Sequence, residues 1–334
     1  MTPNRIAVAL GAALLVFSTH TASADVRADQ KTRIEFGGML GRMANFFGGK
    51  GAKEGVVSTV AVKGDRKATM NEQTGQIVDL AGERVYDLDV RKKSYKVTTF
   101  AELRRRMEEA QKKAEEDARK QEGREAQASR PNEKEMEVDV DIKNTGEKKV
   151  INGFDTHQVI MTITLREKGK TLEQGGGMVT TTDTWLAPKI AAMKEIADFD
   201  VRYAQKLYGG MFAGASAEQM AAAMALYQMM KQAMGRMTTE GAKLDGTAIM
   251  TTVTMDAVKS EEQMAQQTTT TEEKPAGGLG GLLGGLAKKA AAKKGGDESK
   301  ARTTFMTSTN EVLKIATAVS ATDVEVPVGF KENK

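Results

Sequence analysis

The sequence predicts an α+β protein built on one large, predominantly antiparallel β-sheet. Three observations carry that prediction. Apolar and polar residues alternate with period 2 in short runs along most of the chain, turn signals separate those runs, and three segments break the alternation with helical or low-complexity patterns. The cleanness of the alternation fits a sheet covered on one side.

Residues 1–24 stand apart from this fold. Arg5 supplies a positive start, Ile6 to Phe17 an apolar run, and Ala22-Ser23-Ala24 a small-residue cleavage site before Asp25. Together they have the pattern of a secretory signal peptide, which predicts a mature chain that starts at Asp25. No 18-residue apolar stretch follows, so a soluble periplasmic protein is expected. The chain has no cysteine, which excludes disulfides, thiolate metal sites and the acylated cysteine of a lipoprotein anchor. Loss of Arg5 from 49 basic residues against 45 acidic ones leaves the mature chain close to neutral, with no bias toward a polyanion.

The strands follow in order. Thr32 to Phe36 and Val56 to Val62 alternate as half-buried strands. Arg66 to Met70, Gln76 to Leu80, Arg84 to Leu88 and Ser94 to Thr98 form a meander, with turns at Gly64-Asp65, Gln73-Thr74-Gly75 and Ala81-Gly82. After an interruption, Glu135 to Ile142 puts Met136, Val138, Val140 and Ile142 on one face and acids on the other. His157 to Leu165 aligns His157, Val159, Met161, Ile163 and Leu165. Met178 to Leu186, Thr247 to Val258 and Thr303 to Val326 complete the sheet.

Of the three interruptions, the first is a charged insertion, 99–131. Thr99 and Glu102 form a capping box, and Phe100, Leu103, Met107, Ala110, Ala114 and Ala118 make a narrow apolar stripe that fades to alanine, so the distal half is expected to project into water. Pro188 to Met237 holds two helices, with Pro188 near the first helical position and Gly209-Gly210 at the end. Along the second helix Met220, Met224, Tyr227, Met230, Met234 and Met237 form one Met-dominated face. The third segment, Ser260 to Lys300, is a Gly/Lys-rich insertion whose Leu279, Leu282, Leu283 and Leu286 have helical spacing. Interleaved glycines oppose a helix by about 0.8–1 kcal/mol each, so disorder is expected. With Lys288 and Lys289 it is a candidate for peripheral membrane contact, and Gly37 to Gly55 has a similar cationic, apolar character.

Elimination weakens catalysis. The mature chain has a single histidine, His157, on an apolar strand face, where a structural role outweighs a zinc site or a Ser-His-Asp triad. Glu135 to Asp141 is a solvated strand face rather than an acid/base pair. Asp139-Val140-Asp141 opens like a calcium loop, but Lys143 takes the third ligand position and the glycine at position six is missing. No phosphate-cradling glycine motif occurs, and basic residues are interleaved with acids rather than gathered with aromatics, against nucleic-acid binding. Methionines can ligate Cu(I), yet at this helical spacing they serve packing. No enzyme, metal or cofactor is expected.

Several short motifs carry a resemblance. The run from Gly75 to Asp89 (GQIVDLAGERVYDLD), Lys93 to Val97 (KSYKV), Ile151-Asn152-Gly153-Phe154, Thr182 to Pro188 (TDTWLAP) and Val326 to Phe330 (VPVGF) resemble the hairpin repeats and closing segment of the LolA/LolB-like lipoprotein-carrier superfamily, nearest its uncharacterised exported bacterial members. The resemblance covers Thr32 to Phe330 with insertions. It implies a single domain, 25–334, folded as an incomplete, strongly curved antiparallel β-barrel (half-barrel) with helices covering an apolar concave face that holds acyl chains or lipidated proteins. Two readings follow. In one, the protein binds lipid, acyl chains or a lipidated partner, with the Met220 to Met237 face lining the cavity. In the other, it is a non-catalytic envelope interaction or structural module with a filled core and the 99–129 helix as contact surface.

Overall fold

A computed structural model describes residues 25–37, 54–125, 135–209, 231, 234–236, 238–267 and 301–333. The strands are β1 (Val26–Phe36), β2 (Val56–Lys63), β3 (Arg66–Asn71), β4 (Thr74–Asp79), β5 (Arg84–Asp89), β6 (Ser94–Thr99), β7 (Met136–Ile151), β8 (Phe154–Glu167), β9 (Gly177–Ala187), β10 (Thr247–Val258), β11 (Arg302–Ala316) and β12 (Lys331–Glu332). The helices whose bounds lie among the described residues are α1 (Phe100–Glu125), α2 (Leu172–Gly175), α3 (Ala191–Tyr208) and α4 (Glu261–Gln267). The architecture is α+β: one open twelve-stranded sheet in the order β12-β6-β5-β4-β3-β2-β1-β11-β10-β9-β8-β7, antiparallel except for the short β12 beside β6.

The meander β2 to β6 forms where the alternation and turns place it. Asp79 closes the β4–β5 turn by accepting from Gly82 N at 2.8 Å, and Arg66 pairs with its other oxygen at 2.9 Å. Strand β1 starts at Val26, ahead of the expected Thr32, because Val26 and Ala28 continue the alternation into the core with no exposed surface. It lies between β2 and β11 and so joins the two halves of the sheet.

The meander half is covered on both faces, against the expectation of one. On one face Phe199, Leu207 and Ala192 of α3 and Phe100 of α1 pack with Val26, Val62, Val78, Leu80 and Val85. On the other, Val319 and Val324 lie over Ala61, Ala68, Ile77 and Leu88. This second cover exists because the chain does not stay extended to Val326. Ser320 and Asp323 form a capping box that turns it at Ala321–Val324, and the segment that follows crosses the sheet before β12.

Three other local readings shift. β7 and β8 run past their expected ends to an Asn152-Gly153 turn, both residues at positive φ (50° and 85°), which Asn and Gly tolerate. α3 starts at Ala191 rather than near Pro188, because Ile190 N donates to Thr247 Oγ1 at 2.8 Å and is held outside the helix. The Gly/Lys-rich insertion opens with the short helix α4, where Gln263 N donates to Ser260 Oγ at 3.2 Å; residues 268–300 lie outside the described residues. The expected capping of α1 is present, Glu102 N donating to Thr99 Oγ1 at 3.1 Å. Beyond Met107, the described side chains of α1 are exposed.

Open sheets carry edges that can pair with other chains. At the β7 edge Arg236 donates to Val140 O at 3.0 Å and Lys243 Nζ to Ile142 O at 2.9 Å. At the other edge Lys331 N donates to Lys93 O and Asn333 N to Tyr95 O. Both edges are therefore partly occupied. The double variant Arg236→Ala, Lys243→Ala is expected to self-associate where the parent does not; sedimentation velocity checks it, and an unchanged distribution would remove the edge argument. Phe199→Ala, which empties a site with no exposed surface, is expected to lower the unfolding free energy by about 3–5 kcal/mol, read from urea titration.

Candidate functional site

The strand register assembles a site that no single segment reveals. Following cross-strand partners from β1 through β11, β10, β9 and β8 to β7 gives one row on a single face, Phe36, Met306, Met255, Thr180, Ile163 and Val140. The neighbouring row is Ile34, Ser308, Val253, Thr182, Met161 and Ile142. Residues two apart share a face of a strand, so both rows lie on one side of the sheet. They form a mostly apolar strip that crosses six strands.

Exposure along the strip is graded. Val140 and Ile142 are 3% and 2% exposed, packed with Val138, Val159, Leu186 and Leu244, whereas Phe36 and Ile34 at the β1 end are 41% and 46% exposed. The β1 end is open where β2 pairs with β1 only as far as Thr32, leaving Ile34 and Phe36, among the described residues, with no strand beside them on that side. At the β7 end Arg236 and Lys243 are engaged with main-chain carbonyls, and Lys243 also holds Glu240 at 2.8 Å, which keeps the Glu240 carboxyl below its usual range.

The opposite face has a different chemistry. There the equivalent row is Asp141, Thr162, Thr181, Thr254, Thr307 and Glu35, and the Thr252 and Thr309 hydroxyls lie 3.3 Å apart. Two acids of β7, Glu137 and Asp139, share one partner. Arg166 binds Asp139 at 2.7 Å and Glu137 at 3.2 Å, and the Asp139 hydrogen bond raises the guanidinium's affinity for its proton. Glu135 is held below its ordinary range by a hydrogen bond from Lys168. An open depression of about 510 Å³ beside these groups is lined by Glu137, Thr164, Arg166 and the 169–173 turn. Its charges neutralise one another. Among the described residues no group of three or more His, Asp or Glu side chains is placed to hold a metal ion. No helix among them is long and apolar enough to cross a membrane.

Protein-family models, curated proteins and solved structures return no match for this chain. The chemistry of the strip therefore stands on its own geometry.

Of the Met-dominated face expected to line a cavity, Met220, Met224, Tyr227, Met230 and Met237 lie outside the described residues, and Met234 is 50% exposed. The membrane-contact candidates Leu279, Leu282, Leu283, Leu286, Lys288 and Lys289 lie outside them as well, as do the Ala22-Ser23-Ala24 site and the 38–53 stretch. The sequence did place Ile34, Phe36, Met161 and Ile163 on strand faces, but Val253, Met255, Met306 and Thr180 carried no signal of their own. Their grouping depends on pairing between strands up to 270 residues apart, such as Phe36 with Met306.

Proposed function

We propose that this chain is an exported, non-enzymatic binding protein that holds an acyl chain, free or as part of a lipid or lipidated partner, on the apolar face of a half-barrel-like sheet. The observation that carries the reading is the two-row strip, mostly apolar across six strands and open at Ile34 and Phe36. A contiguous apolar surface left in water is costly to keep without an occupant. Four methionines, Met161, Met178, Met255 and Met306, contribute to that face, and their flexible thioethers fit chains of varied shape.

Curling of the sheet is supported by one contact. Asn152, at the β7–β8 turn, donates to Glu311 Oε1 and to Val312 O of β11, both at 2.9 Å. In a flat sheet β8 and β11 would stand roughly 14 Å apart, so β8 and β11 lean together past the ends of β9 and β10. Beneath them Ile151, Trp185, Ala187 and Ile249 pack, and Lys149 Nζ sits 3.7 Å from the Trp185 ring centre.

The module with a filled core is favoured by a different observation, the packing of the meander half on both of its faces. The two readings separate on bound ligand. Organic extraction of the purified protein followed by mass spectrometry is expected to release acyl species, and Phe36→Asp with Met255→Asp is expected to lower affinity for a fluorescent fatty acid at least about tenfold while cooperative melting survives, because a carboxylate facing the chain would be desolvated without a partner. No extracted lipid and no uptake by the parent would leave the interaction module. For export, intact mass of the periplasmic protein is expected to match a chain starting at Asp25; a species retaining 1–24 in the membrane pellet would mean an uncleaved anchor.

A further inference from the structure

Resting on the acyl-binding reading above, we infer that the ligand is a single long acyl chain lying across the strands, terminal methyl toward β7 and polar end at β1, with Thr180 as the residue that sets the accepted length. The strip has one open end and one closed end. Ile34 and Phe36 are about half as exposed as free side chains, while Val140 and Ile142 are buried in a cluster against which Leu244 packs. A polar head driven to the closed end would lose its water. Arg236 and Lys243, described at this end, already donate to Val140 O, Ile142 O and Glu240. The methyl end therefore goes in first and the head stays in solvent.

Length follows from the register. Strands in a sheet stand about 4.8 Å apart, so the row from Phe36 to Val140 spans roughly 24 Å and the part from Phe36 to Thr180 roughly 14 Å. An extended sixteen-carbon chain is roughly 19 Å long, at about 1.25 Å per carbon–carbon bond, so palmitate passes Thr180 and reaches β8, four strand spacings from Phe36. Thr180 is the small polar member of its row, between Met255 and Ile163. A large side chain there blocks the far half of the strip and leaves the near half unchanged.

The test compares palmitate with octanoate, about half as long, on the full chain by calorimetry. Each methylene kept off the strip costs roughly fourfold in affinity. Thr180→Trp is expected to weaken palmitate at least about tenfold and to leave octanoate within about twofold. Equal loss of both ligands, or of neither, overturns the lengthwise arrangement while leaving acyl binding in place. A parent that binds neither ligand overturns the acyl reading itself. Should Thr180→Trp not fold, photolabelling of the parent decides the question. A fatty acid with a diazirine at its methyl end is expected to label β7 and β8 peptides, and one with a diazirine beside the carboxylate to label β1 and β11 peptides. The reverse order, or the same peptides from both probes, overturns the orientation.

Discussion

The docking of β1 between β2 and β11 is the constraint on which the rest of the molecule depends. Val26 and Ala28 have no exposed surface, and the strand pairs along much of its length on both sides. Without it the sheet would separate into a meander and a five-stranded sheet of longer strands. α3 reinforces the joint by laying Phe199 and Leu207 against Val26 and Val62. Around this joint the ion pairs of Lys63 with Asp25 and Arg27 with Asp323 tie the start of β1 to β2 and to the closing segment. Such partly exposed pairs contribute little on their own, so apolar packing and main-chain pairing hold the joint.

Beyond that joint the sheet becomes two-sided in chemistry. One face carries threonine hydroxyls and charged groups, the other mainly methionine, isoleucine, valine and phenylalanine. Strands of alternating pattern ordinarily turn their apolar side to a core. Here that side is packed at β7 and at the α3 end, half-buried in between and exposed at Ile34 and Phe36. The function proposed above is located in that difference.

The meander and the existence of most other strands were legible in the sequence because each rests on local alternation and turn residues. The errors share a cause: contacts made across the chain. Residues Lys143 to Val150 are too charged to read as a strand, yet they pair with β8 because the turn at Asn152 is fastened to β11. The start of α3 is decided by a hydroxyl 57 residues away on Thr247. Val326 looked like a strand end, but Ser320 and Asp323 had already turned the chain. The apolar strip was the least legible part, since Met255 and Met306 become neighbours only through register.

The central place of β1 also orders events in time. Among the described strands it comes first in chain order, and its second partner, β11, is made last among the long ones; the Arg27 to Asp323 contact closes a separation of 296 residues. Until then β1 has a free edge and an uncovered apolar side. Folding of such long-range topologies is slow, because chain closure must precede the contacts that reward it. Under the export proposed above this delay is useful: the half-made sheet cannot lock before the last long strand has passed through.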